Sequence, residues 1–358
     1  MREHPIDRAL GALRGSGGEG LESTGSGGVT QERADKLAEQ ARAALPTQAG
    51  GASPVEAARI ALATALIDEG HTALREVVSR RTDAALTANQ LAGLEAIVRL
   101  TGRPSLPIRG GSVEEATQEW AAPLELAKTL IEQSIAGVGR LRVPEFDDPY
   151  LGTAFLVGVD LAMTNVHVAI NFAERTSNGW KVGTGLSPMV DFLAEDGSAA
   201  RCEFRVTGIE CLHPDARLDL AVLRLARTSE QGQPLPRHLP LNGDPSRAQK
   251  GVRIYVIGYP AADDRHEATI VAAVFGRTLS IKRLAPGEVL VTRDQGLQFT
   301  HDCSTLRGNS GSCVLDLATS RVFGLHRSGT AGIENRATSI AHTHQDPLLR
   351  DLGITFLQ

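Results

Sequence analysis

The chain changes texture once, near Gly137, and that change limits its folds more than any other feature. Before it, apolar residues recur at helical spacing. After it, they come as short runs separated by turn residues, over 154–159, 166–170, 220–225, 253–257, 270–274, 289–292, 313–315 and 322–325. Runs of that length and spacing predict strands. Residues 137–358 are therefore expected to be mainly β, a barrel or sandwich with enough chain for two packed barrels.

The amino-terminal side reads differently. Residues 1–28 are rich in Gly and Ser and predict a flexible arm. Thr30 is placed as an N-cap opening a helix over 31–45, and Pro54 opens a second carrying Val55, Ala58, Leu62 and Ala65. The second is expected to reach about Ser79 with an interruption near Gly70. A third helix is expected over 87–101, and a fourth from Ser112 carrying Trp120, Leu124, Ala127, Leu130 and Ile131. Residues 104–109 between them read as extended, and Asp346-Pro347 opens a last short helix. The narrow apolar faces of the first four suit a small bundle or interaction domain over 29–136, one that could bind a regulatory protein.

Composition excludes several classes of function. A chain of 358 residues exceeds the usual single core and implies two domains. A net charge of −5 without a basic run argues against nucleic acid as the partner. No apolar run approaches the roughly 18 residues of a membrane span, and the amino terminus has no secretory segment, so a cytoplasmic protein is expected. Cys202, Cys211, Cys303 and Cys313 lack metal-binding spacing and read as buried thiols. His342 and His344 alternate without a third ligand, so no metal or other cofactor is expected. Trp120 and Trp180 read as packing residues, and Asp215 and His213 as turn and loop residues.

Chemistry concentrates in Gly308-Asn309-Ser310-Gly311-Ser312. A serine hydroxyl needs a base and an anion hole before it attacks a carbonyl. The flanking glycines let the turn aim the N–H groups of Gly308 and Ser310 at one point, as an oxyanion hole requires. An ordinary Gly/Ser-rich turn would have the same composition, so the partners decide. Thr164-Asn165-Val166-His167-Val168 delivers a histidine, and Asp219-Leu220-Ala221-Val222-Leu223 places a carboxylate at the mouth of an apolar run. A base to take the serine proton and a carboxylate to orient that base complete a triad of His167, Asp219 and Ser310.

These three motifs, with 255–260 and 322–326, resemble the bacterial trypsin-like branch of the chymotrypsin superfamily of serine endopeptidases. The resemblance covers roughly residues 137–358. It implies a two-barrel protease domain preceded by a small α-helical domain, acting on protein or peptide substrates through an acyl-enzyme. Two departures stand out: Ala154 where the family usually has Gly, and Cys313 just after the serine loop, which would make the site sensitive to thiol reagents. Asn309 carries no charge where animal trypsins have the aspartate that pairs with a freed amino terminus, so the resemblance implies another restraint. The helical unit is the candidate, since relatives carry unrelated front domains, some in defence or signalling. The resemblance places the primary specificity pocket at Ser304, Thr305 and His326. Thr305 and His326 look like the pair by which glutamyl endopeptidases bind an acidic side chain, with a small or medium uncharged residue as the other choice; Arg327 could assist or face solvent. The competing class is a protease fold without activity, used as a binding module.

Overall fold

The computed structural model of the chain describes residues 30–45, 54–80, 86–113, 118–177, 179–262, 268–275, 278–330 and 334–357. The expected arm over 1–28 lies outside the described residues. Helices α1 (Gln31–Ala43), α2 (Pro54–Arg80) and α3 (Ala88–Gly102) come first, followed by strands β1 (Leu106–Arg109) and β2 (Ser112–Val113) and helix α4 (Gln118–Ile135). Then come β3 (Val138–Arg142), β4 (Tyr150–Leu156), β5 (Leu161–Thr164), α5 (Val166–Ala169), β6 (Ala173–Thr176), β7 (Gly179–Val182), β8 (Met189–Asp191), β9 (Glu203–Leu212) and β10 (Ala221–Leu225). The remainder holds β11 (Leu241–Asn242), β12 (Arg253–Gly258), α6 (Ala268–Phe275), β13 (Arg283–Arg293) and β14 (Gln298–His301). It ends with β15 (Cys313–Asp316), β16 (Val322–Thr330), β17 (Glu334–Ser339), α7 (Pro347–Asp351) and β18 (Phe356–Leu357).

The strands close into two antiparallel barrels of six. The first runs β10-β5-β4-β3-β8-β9 and is sealed by pairing of β9 with β10; the second runs β12-β15-β16-β17-β14-β13 and is sealed by β12 with β13. Closure leaves no unpaired edge within either ring. Strand β12 shows why its run is apolar throughout rather than alternating. Successive side chains of a strand point to opposite faces. Ile254 and Val256 enter the interior of the second barrel with Phe299, Val314 and Phe323. Tyr255 and Ile257 enter the seam between barrels, with Phe155, Met163 and Leu220 from the first barrel. Both faces of β12 are core, so the sequence shows no polar side.

Two apolar runs do not form the expected strands. Residues 166–170 contain the single turn α5, and 270–274 lie in α6, where Ile270, Val274 and Phe275 join the apolar core of the helices and α6 packs against α2 and α3. A short apolar run fits a buried helix turn as well as a strand, and tertiary contact decides. Ser112 and Val113, expected to open a helix, form β2 instead; the described helix starts at Gln118. Helix α2 also runs unbroken through Gly70. The glycine is there for space: a Cβ on Gly70 would strike the backbone of Gly93 in α3. Small residues (Ala34, Ala38, Ala41, Ala63, Ala73) likewise fill this helical core. Asp346 caps α7 as expected, accepting from the N–H groups of Leu348 and Leu349.

The segment before Gly137 joins the barrels at several points. Strand β1 pairs with β13, Leu106 opposite Leu284. Trp120, Leu124 and Ile131 of α4 belong to the core that fills the seam between the barrels. Arg103 is fully buried between the two halves, its Nη2 2.8 Å from Asp302 Oδ2 and its Nη1 3.6 Å from Glu119 Oε1, over the Trp120 ring. Removing one partner of a buried pair strands the other charge in low dielectric. Arg103→Met is therefore expected to lower stability by about 3–5 kcal/mol, read as the midpoint of urea unfolding. A midpoint like that of the parent would show that this pair does not fasten the two halves.

Candidate active site

Each barrel contributes to one site at the seam. Strand β5 ends at Thr164 and the chain turns at once into α5, which carries His167. Asp219 stands just before β10 with φ of +47°, a left-handed conformation that Asp tolerates better than most residues. There its carbonyl accepts from Val166 N and Asn165 Nδ2 at 3.2 and 3.0 Å, fixing the two segments together. Its carboxylate takes His167 Nδ1 at 2.7 Å on Oδ2 and the His167 backbone N–H at 3.1 Å on Oδ1. A carboxylate on Nδ1 leaves His167 Nε2 as the basic nitrogen. The imidazole is half exposed, whereas Asp219 is largely covered.

Ser310 comes from the second barrel, on the turn before β15. Gly308 has φ of +88°, and a Cβ there would strike the Tyr259 carbonyl, so only glycine fits. Asn309 N and Ser312 N donate to Leu306 O and Asn309 O, at 3.2 and 2.9 Å. Among the described residues the N–H groups of Gly308 and Ser310 meet no backbone acceptor, as an anion-binding pair requires. The turn is pinned on both sides. Gly311 N donates to His326 O and His326 N to Ser312 O, while Thr153 of the first barrel reaches across the seam. Thr153 N donates to Ser310 O at 2.8 Å and its hydroxyl to Gly308 O at 2.9 Å. Ser310 Oγ donates to the Arg327 carbonyl at 3.1 Å rather than to His167.

The expected pocket residues divide. Thr305 is buried and donates to Asn335 Oδ1 at 2.7 Å, while Ser304 gives its hydroxyl to Arg103 O at 2.6 Å and so serves the amino-terminal segment. Leu306, four residues before Ser310, packs in the core of α1, α2, α3 and α6. His326 is buried, with its Nδ1 3.1 Å from His301 Nε2. Burial, reinforced by His301 and His167, holds His326 well below the ordinary histidine range, and burial alone brings His301 down to about 3. These surroundings disfavour the charged form of the His326 imidazole. His301 Nδ1 has no partner among the described residues. A buried orphan lone pair is commoner than an orphan N–H. This assigns the proton to His301 Nε2, donating to His326 Nδ1, and leaves His326 Nε2–H for a ligand.

Other expected residues fall as follows. Arg327 turns to Asp219 and to the carbonyls of Ala216 and Arg217. Asp215 is held down to about 2 by hydrogen bonds from Arg217, as fits a turn carboxylate. His213 is more engaged than a loop histidine, 3.0 Å from Asp346 Oδ2. His342 and His344 bond to Ser339 Oγ and Ala341 O, and no metal-binding group occurs among the described residues. Trp120 is buried, its indole N–H donating to Gly102 O. Cys313 is fully buried with its thiol pushed up to about 12, so ready attack by thiol reagents is not expected. Thr153, His301 and Arg103 escaped sequence reasoning. Thr153 stands next to Ala154, which the sequence reading did mark, but its role exists only across the seam.

Residues 152–325 match the family model described as trypsin-like peptidase domain. Among solved structures, the serine endoprotease from Yersinia pestis is 16% identical, with a TM-score of 0.42, 66% of this chain and 69% of that one covered. The Rv3671c protease of M. tuberculosis, in an inactive form, is 17% identical with a TM-score of 0.40, covering 64% and 96%. None of the curated proteins matches the chain.

The buried histidines set a pH dependence. An unfolded chain protonates them near pH 6.5, whereas the fold holds His301 neutral to about 3. Stability is then lost as pH falls below about 6.5, by about 1.4 kcal/mol per unit for such a group. His301→Gln keeps an N–H donor but does not titrate. Its urea midpoint is expected to fall less between pH 7 and 5 than the parent's; equal falls would contradict the assignment.

Proposed function

From a trypsin-like peptidase domain at residues 152–325, we propose that the chain cleaves protein substrates by the triad His167, Asp219 and Ser310 through an acyl-enzyme. The observation that carries this is the His167 Nδ1–Asp219 Oδ2 contact of 2.7 Å, facing a serine turn clamped by Thr153. Ser310 Oγ swings from Arg327 O to His167 Nε2, gives up its proton there and attacks the scissile carbonyl. The oxygen of that carbonyl, now anionic, is met by the N–H groups of Gly308 and Ser310. His167 returns the proton to the leaving amine, and water, deprotonated by the same imidazole, releases the acyl group. The other reading, a binding module without activity, draws on the resting hydrogen bond of Ser310 to Arg327.

An acidic side chain before the scissile bond is the preference we favour. His326 Nε2–H supports it as a donor to a carboxylate, although Thr305 spends its own proton on Asn335. One assay tests both claims, with matched peptides carrying Glu, Asp, Ala, Leu or Lys before the bond. Glu or Asp should be cut fastest; Ser310→Ala and His167→Ala should cut nothing measurable, and Asp219→Asn should lose about 10⁴-fold in kcat. Activity retained by Ser310→Ala would refute the triad, and preference for Leu or Lys would refute the acidic pocket alone.

The helical unit is the proposed regulator, in a cell where an always-active protease needs restraint. Supporting this, Leu306 lies in the helical core and Ser304 bonds to Arg103 O, so the pocket loop touches the amino-terminal segment directly. A chain starting at Arg103 keeps the parts that join the barrels and drops α1, α2 and α3. Its kcat/KM on a small peptide is expected to change while the barrels stay folded; an unchanged value would count against regulation by these helices.

A further inference from the structure

Arg327 brings a cation to the same oxygen that orients the catalytic base. Its Nε lies 3.4 Å from Asp219 Oδ2, which also faces His167 Nδ1 at 2.7 Å. Its Nη1 and Nη2 donate to Arg217 O and Ala216 O at 2.5 and 3.2 Å, so the guanidinium is anchored to the turn that carries Asp219. The other carboxylate oxygen accepts from the His167 backbone N–H at 3.1 Å. Both oxygens are engaged, and a rotation of the carboxylate would break contacts on each.

Resting on the peptidase reading above, we propose that Arg327 is a positioning residue that fixes the Asp219 carboxylate and offsets part of its charge at His167. A carboxylate favours the protonated imidazole beside it, and a cation on the same oxygen opposes that. Among the described residues the charged and titratable groups facing the pair are few. Helix α5 offers only His167 itself. From β16 come Arg327 and His326, which is neutral and backed by neutral His301 on β14. From the turn before β10 come Asp219 and Arg217, the latter exposed and paired with Asp215 at 2.6 Å. Removing the Arg327 charge therefore strengthens the field of Asp219 at His167, and the imidazole should protonate at higher pH. A base that protonates too early idles the enzyme in mildly acidic solution, so Arg327 widens the working range downward.

The test compares the full chain with Arg327→Met and Arg327→Lys. The acid limb of kcat/KM against pH is measured, together with the NMR titration of the His167 ring. Arg327→Met should move both midpoints up by about 0.5–1 pH unit, and Arg327→Lys should restore most of the difference. If the Met variant does not fold, Arg327→Gln keeps N–H donors for the two carbonyls without the charge and carries the same expectation. Midpoints that stay put or fall in the neutral variant, or a Lys variant shifted as far as Met, would overturn the proposal. If the parent hydrolyses no peptide, the peptidase reading fails, and the ring titration still decides what Arg327 does to His167.

Discussion

The site depends on one residue that does no chemistry. Thr153 sits on β4 of the first barrel with no exposed surface, yet three of its polar atoms serve the seam. Its N–H and hydroxyl hold the carbonyls of Ser310 and Gly308, its carbonyl accepts from Thr164 Oγ1, and its hydroxyl oxygen also accepts from Tyr259 N. Thr164 ends the strand that delivers His167. The histidine, the Ser310 turn and the strand behind that turn are thus tied to one residue. Catalysis by a triad requires near-contact geometry between groups on separate barrels, and small displacements cost large factors in rate. A buried four-way hydrogen-bond node holds that geometry more firmly than apolar packing, which resists sliding poorly.

The same logic extends behind the pocket. Ser304 and Thr305 look interchangeable in the sequence, but one faces the amino-terminal segment and the other Asn335. Arg103, Asp302 and Glu119 form a buried charge cluster beside that loop. Buried charges fix register where hydrophobic contact alone tolerates slip. The helices before Gly137 are consequently joined to the barrels through polar contacts at Arg103 and through packing at Leu306, Phe275 and Trp120.

The residues of the proposed triad stood out because such chemistry demands particular residue types next to apolar runs, and such motifs survive in one dimension. The β character of residues 137–358 was legible for the same reason: closed barrels bury nearly every strand. What failed was the assignment of runs whose conformation is set from outside. Residues 270–274 are helical because α2 and α3 offer an apolar face there, and Ser112 enters β2, which pairs with the end of β1 beyond its pairing with β13. His301 was missed because its partner is 25 residues away, on a strand it does not pair with directly. Arg327 could be placed beside the site but not aimed, since nothing in its neighbours shows that three carboxylate and carbonyl acceptors lie in one direction.

In the proposed mechanism Ser310 becomes a nucleophile because His167 and the Thr153-clamped turn make it one. The most direct measurement is covalent labelling of the full chain by a fluorophosphonate, followed by mass spectrometry of the labelled peptide. One adduct per chain is expected, on Ser310, formed far more slowly once His167 is replaced by Ala. No adduct on the folded parent, or one on another residue, would contradict it.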